Sequence, residues 1–335
     1  MLNISIVLYH PNWEQEVLPL VEELLRVKNL RKIYLLDNSE DRETPQKVKY
    51  VALTDRVLTF SNAVAEIVTK KHPDVKVYMY IYSHYASAPV KVKPHPSLLV
   101  LLANVNYTKE SVRQHHLRDM MKFATYPGTY FWRTNALWGF YSTLAPQDFA
   151  RKMFEDLELF KANVIVGTDI DCFEHHWACK PLVYYALSKA FWNPDRLRFD
   201  AVADDFCRQG FGPAAAEMRE YFSVVEKTTN AAAEAEGHYL DFFDEKVISA
   251  LRSQLAKARA KAKNDPAVLE RIDFITVGVN CGELSRKMFV ARKKNNSAEY
   301  ETLRRQYLAY IRETIRRQPF ALNPSRIGQY DDFVK

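Results

Sequence analysis

Between Lys161 and Asp195 the chain packs three kinds of pattern into one short stretch, K-A-N-V-I-V-G-T-D-I-D-C-F-E-H-H-W-A-C-K-P-L-V-Y-Y-A-L-S-K-A-F-W-N-P-D. Asn163–Gly167 is a short apolar, β-branched run of the kind that forms a strand buried on both faces. Directly after it come Asp169, Asp171, Glu174, His175, His176 and Trp177. From Pro181 to Trp192 apolar residues return at helical spacing, and Asn193-Pro194 stops them. Strand, polar loop, helix is the unit of parallel α/β folds, which carry their chemistry in the loop at the carboxyl end of the strand.

The same unit recurs upstream. Apolar runs at Asn3–Tyr9, Lys32–Leu36, Val75–Ser83, Leu98–Ala103 and Thr129–Arg133 predict further strands. Amphipathic stretches at Trp13–Val27, Asp55–Lys71, Thr108–Ala124 and Gln147–Phe160 predict the helices between them, with Asp55 as an amino-terminal cap. After Phe199 only helical patterns remain: Phe199–Arg208, Ala214–Thr229, Asp241–Lys263, Pro266–Val279 and Glu299–Arg317. The expected fold is α/β, a parallel βα arrangement that is TIM-barrel-like but incomplete, with about six strands against the usual eight. An all-α carboxy-terminal domain follows. The expected domains are 1–195 and 196–335, with 1–45 as a β-α-β opening and 50–195 as the rest of the barrel-like part.

The formal charge of +6 over 335 residues is diffuse, and no Lys/Arg cluster is interleaved with aromatics, so nucleic acid is not an expected partner. No segment approaches the roughly 20 apolar residues of a membrane span, and no signal peptide opens the chain, so a soluble cytoplasmic protein is expected. Cys172, Cys179, Cys207 and Cys281 share no metal-type spacing and read as reduced thiols.

Glycoside hydrolysis needs two carboxyls, about 5–5.5 Å apart for retention or about 6.5–9.5 Å for inversion. Glu174 with Asp169 or Asp171 could supply them; the aspartates could equally cap the helix or bond loop amides. Aromatic, amide and cationic side chains recur at successive strand ends: Tyr82 and His84; Asn104 and Asn106; Trp132, Arg133, Asn135 and Trp138; His175, His176 and Trp177. Sugar rings offer apolar faces to aromatics and hydroxyls to such polar groups. Trp132 and Trp138 could instead be core, and His175 and His176 structural. Adjacent histidines cannot both face one ion from a regular helix, so no metal site and no cofactor are expected.

I-S-I-V-L-Y-H and I-Y-L-L-D-N-S resemble the opening of a family-2 glycosyltransferase over about the first forty residues. That resemblance would place Asp37 at the nucleotide of a sugar donor. With D-I-D at Asp169–Asp171 it sustains an alternative, a nucleotide-sugar-dependent transferase using Mn or Mg. From about Tyr50 onward a different family is matched. R-V-L-T-F-S-N-A-V-A-E at Arg56–Glu66, P-V-K-V-K-P-H-P at Pro89–Pro96, G-T-D-I-D, Y-Y-A-L-S-K-A-F-W-N-P-D and F-C-R-Q-G-F-G-P-A-A at Phe206–Ala215 resemble the glycoside-hydrolase-like domain of unknown function 4838. This family is similar in architecture to α-glucuronidase-type barrels, and here its front would be truncated. The resemblance implies a carbohydrate substrate, hydrolysed or merely bound. A sugar-binding remnant is the other alternative, and a homo-oligomer that covers an open sheet edge would fit it.

Overall fold

A computed structural model describes residues 2–8, 19, 21–23, 26, 30–37, 53–82, 85–103, 109–126, 128–134, 144–161, 165–170, 176–193 and 198–323. Its strands are β1 (Leu2–Leu8), β2 (Leu30–Asp37), β3 (Val77–Ile81), β4 (Leu98–Leu102), β5 (Thr129–Thr134) and β6 (Ile165–Ile170). They form a parallel sheet in the order β1-β2-β3-β4-β5-β6, each strand beside its neighbour in sequence. Alternating helices follow, then a helical carboxy-terminal region, as the hydrophobic periodicity predicts.

The chain divides into two compact units. The first comprises Met1–Asn106, Ser111–Asn135 and Leu159–Asp171. In it, α1 (Leu53–Lys71) packs on β3 and β4 through Val57, Leu58, Phe60, Val64 and Val68. Beneath lie Val77, Met79, Ile81, Val100 and Leu102, all fully buried. Each such side chain contributes roughly 1.5–3 kcal/mol by leaving water. Side chains alternate along a strand, so Tyr78, Tyr80 and, on β5, Phe131 and Arg133 emerge half-buried on the opposite face. Gly167 on β6 lets the Phe131 ring come close, since a Cβ there would lie 2.4 Å from Phe131 Cε1.

Asp55 does not serve its own helix as a cap. Helix α1 starts two residues earlier, and the Asp55 carboxylate accepts the N–H groups of Val90, Lys91 and Val92 at 3.0–3.2 Å, holding the Pro-rich loop before β4. Strand β6 also differs from expectation. It runs three residues further, to Ile170, so Asp169 belongs to the strand.

The second unit comprises Tyr107–Glu110, Ala136–Glu158 and Cys172–Lys335. It therefore takes in residues before position 196, among them α4 (Pro181–Trp192) and most of α3 (Ala150–Lys161); α2 (Glu110–Phe123) begins at its boundary and lies mostly in the first unit. Then come α5 (Phe199–Phe211), α6 (Ala215–Glu234), α7 (Glu245–Lys261), α8 (Pro266–Lys293) and α9 (Ser297–Arg317). Three starts are set by capping side chains: Asp244, Asp265 and Asn296 each accept a backbone N–H three residues on. Helix α8 outruns its expected end at Val279, and Gly278 and Gly282 are contact points within it. A Cβ at Gly278 would meet the Ala178 carbonyl oxygen at 2.8 Å, and one at Gly282 would meet Phe243 at 2.7 Å. Cys179, Cys207 and Cys281 are buried thiols, and the Cys179 thiol donates to the Leu144 carbonyl. Among the described residues no helix is long and apolar enough to cross a membrane.

Candidate functional site

The carboxyl ends of β3, β5 and β6 supply the described part of the site. On β3 the sequence V-Y-M-Y-I-Y puts Tyr78, Tyr80 and Tyr82 in a row, with edge-on ring contacts of 6.4 Å and 6.0 Å between successive centroids. The Arg133 guanidinium, at the end of β5, stands 5.6 Å from the Tyr80 ring centroid. This cation–π geometry holds the cation over the ring. The β5–β6 register sets Arg133 opposite Asp169. One layer at the sheet's carboxyl end thus holds two tyrosines, an arginine and a backbone position that carries an aspartate.

Trp132 is a core ring rather than a sugar platform. It is fully buried, and its ring lies 4.4 Å from that of Phe160. Its alternation with Arg133 along β5 sends the two to opposite faces. His176 is also interior, 2 % exposed; its Nδ1 accepts the Asn323 N–H and its carbonyl accepts from Cys179 and Lys180, which shapes the turn into α4. Trp177 is 42 % exposed and leans on Tyr184 at 4.5 Å. His84, Asn104, Asn106, Asn135, Trp138, Asp171, Glu174 and His175 lie outside the described residues. Asp37 ends β2 and Asp169 lies in β6. Among the described residues, no group of three or more His, Cys, Asp or Glu is placed to hold a metal.

Two further residues stand apart from those that the strand-end pattern names. Tyr80 was detectable from the period-two repeat of tyrosines. Asp148 was not, because its surroundings come from distant segments. It lies in the helical unit, fully enclosed: Oδ1 accepts the Ala150 N–H at 2.8 Å, its own N–H donates to Thr229 Oγ1, and Oδ2 has no hydrogen-bond partner. Burial pushes its carboxyl up to about 7, with the charge of Glu226 adding to the rise. The Ala150 N–H, Arg219 and Arg151 oppose the shift. Gln147, Lys180 and Tyr221 line the same small interior hollow.

Residues 33–223, more than half of the chain, match the model of a domain of unknown function, DUF4838. The chain belongs to the DUF4838 family. The match starts inside β2, so the second strand of the glycosyltransferase-like opening falls within the DUF4838 region, while α7, α8 and α9 lie beyond it. No curated protein sequence matches this DUF4838 chain. Among solved structures it is similar to a family 89 glycoside hydrolase from Clostridium perfringens in complex with PUGNAc, at 15 % identity and a TM-score of 0.47. That alignment covers 86 % of this chain and 33 % of the other. It is also similar to CpGH84B at 12 % identity and a TM-score of 0.41, over 93 % of this chain and 60 % of that one. The DUF4838 chain thus spans about a third of the length of the first and three fifths of the second.

Proposed function

We propose that the chain is a carbohydrate-active protein of glycoside-hydrolase type, with a barrel-like sheet whose carboxyl end receives a sugar. The observation that carries this reading is the layer formed by Tyr80, Tyr82, Arg133 and the Asp169 position at the ends of parallel strands. Flat rings suit the apolar face of a pyranose, and a guanidinium beside them can donate to several hydroxyls.

In this reading Asp169, whose backbone pairs in register with that of Arg133 on the next strand, is the nucleophile or general base. Asp171 or Glu174 would then be the proton donor to the leaving group, and water would complete hydrolysis without a cofactor. The test is turnover of aryl glycosides by the wild type, Asp169→Asn and Glu174→Gln. Loss of about a hundredfold or more in kcat is expected for each. Wild-type turnover in both variants would remove this chemistry, and binding without turnover in the wild type would leave a sugar-binding protein.

A further inference from the structure

The helical unit carries a line of surface aromatics that the strand-end site does not use. On α4, Tyr185, Lys189 and Trp192 fall at i, i+4 and i+7, which is one face of a helix. Trp192 is 92 % exposed, and Lys189 Nζ stands 5.2 Å from the Tyr185 ring centroid. Tyr185 and Phe206 wall a hollow of about 380 Å³ whose other side is Arg271 and Phe274 of α8. Arg271 and Phe274 also wall a second hollow of about 400 Å³, which ends at Gln318 and Phe320. Phe320 is 76 % exposed.

Scattered exposed apolar residues need no explanation, but rings around two hollows that share a wall, extended along the same α4 face by Lys189 and Trp192, mark a binding surface. The line has a repeat: two hollows of nearly equal size share one wall. A polymer of similar units fits that shape better than a single compact molecule. The wall they share is a ring beside a guanidinium. One Arg271 N–H donates to the Gly210 carbonyl at 3.0 Å, which fixes the side chain and leaves the rest of its fork to a ligand. Of the nearby carboxylates, Asp205 is engaged by Arg208 and the Tyr185 hydroxyl. Among the described residues, Glu270 is the only carboxylate lining either hollow, against Arg271 and Arg317; Glu313 engages Arg317.

We propose that this line binds a polyuronate chain. Uronate rings lie on Trp192, Tyr185, Phe274 and Phe320, and their carboxylates pair with Lys189 and Arg271, the latter through its planar fork. The inference rests on the carbohydrate reading of the chain but not on the strand-end chemistry.

The experiment is affinity electrophoresis of the full chain through gels containing polygalacturonate, alginate or neutral dextran. Both polyuronates should retard the wild type and dextran should not. Trp192→Ala and Arg271→Gln, both exposed positions, should each weaken the interaction by roughly tenfold. Asp169→Asn should be retarded like the wild type, which separates this site from the strand-end one. Absence of retardation by either polyuronate, equal retardation by dextran, or retardation that both surface variants retain would overturn the proposal, whatever the outcome of the glycoside assay.

Discussion

Replacing Asp148 by Asn should flatten the pH dependence of stability over a defined interval. In the folded chain the carboxyl holds its proton up to about pH 7, whereas its unperturbed value is 3.8. Between those values this group binds more protons in the folded state than in the unfolded one, so its contribution to the free energy of unfolding falls as pH rises and levels off above about 7. The shift of about three units corresponds to about 4 kcal/mol at most, and hydration of a charged buried group through local relaxation would reduce it toward about 2 kcal/mol. The amide introduced by Asp148→Asn keeps an oxygen for the Ala150 N–H and cannot ionise.

The assay is urea denaturation followed by far-ultraviolet circular dichroism, run at intervals from pH 4 to pH 8. Near pH 4 the wild type and Asp148→Asn should be nearly equal. At pH 8 the variant should be the more stable by about 2–4 kcal/mol. Parallel stability curves, or a variant that loses stability relative to the wild type as pH rises, would show that Asp148 ionises readily in the folded chain, and the burial argument would be wrong.

Gly278→Ala should lower the urea midpoint. The helix-propensity gain of about 1 kcal/mol is outweighed because the added methyl meets the backbone carbonyl of Ala178, which cannot swing aside, at 2.8 Å; a net loss of about 1–2 kcal/mol is expected. Asp55→Ala removes the acceptor of three loop N–H groups. It should cost about 1–3 kcal/mol and open the Lys91–Val92 bond to trypsin, read by limited proteolysis. Tyr80→Leu takes away the ring under Arg133, so stability should fall by only about 0.5–1 kcal/mol. The same change should lower kcat/KM on an aryl glycoside by about tenfold, measured on the purified variant.

The apolar runs located β3, β4 and β5 within a residue or two, because a strand covered by a helix must be apolar on the covered face wherever it lies in the chain. β6 was displaced for a local reason. The apolar run ends at Gly167, but the glycine lies inside the strand, where it admits the Phe131 ring. Helix α8 likewise runs past the expected Val279, with Gly278 and Gly282 inside it as points of close packing. Composition at strand ends put Trp132 among the sugar contacts. Strand alternation separates it from Arg133 and sends it to the core. Asp148 could not be found by any local pattern, because Thr229, Tyr221 and Glu226, which determine its state, are more than seventy residues away in sequence.

The strand order decides where a ligand argument can begin. In a doubly wound sheet the ligand lies where the order reverses, and the crevice follows from topology alone. Here the six strands follow one another in sequence with no reversal, so topology singles out no pair of strands. What it does single out is an end: parallel strands bring all their carboxyl termini to one edge, as in βα barrels. Along β3 and β5 the two faces differ in character. Val77, Met79, Ile81, Tyr130 and Trp132 on one face are fully buried, whereas Tyr78, Tyr80 and Arg133 on the other are half-buried and polar-tipped. A face that only needed stability would have no reason to carry a guanidinium beside a row of phenols. Carrying those groups costs desolvation that packing does not return, and a ligand that receives their hydrogen bonds would offset it.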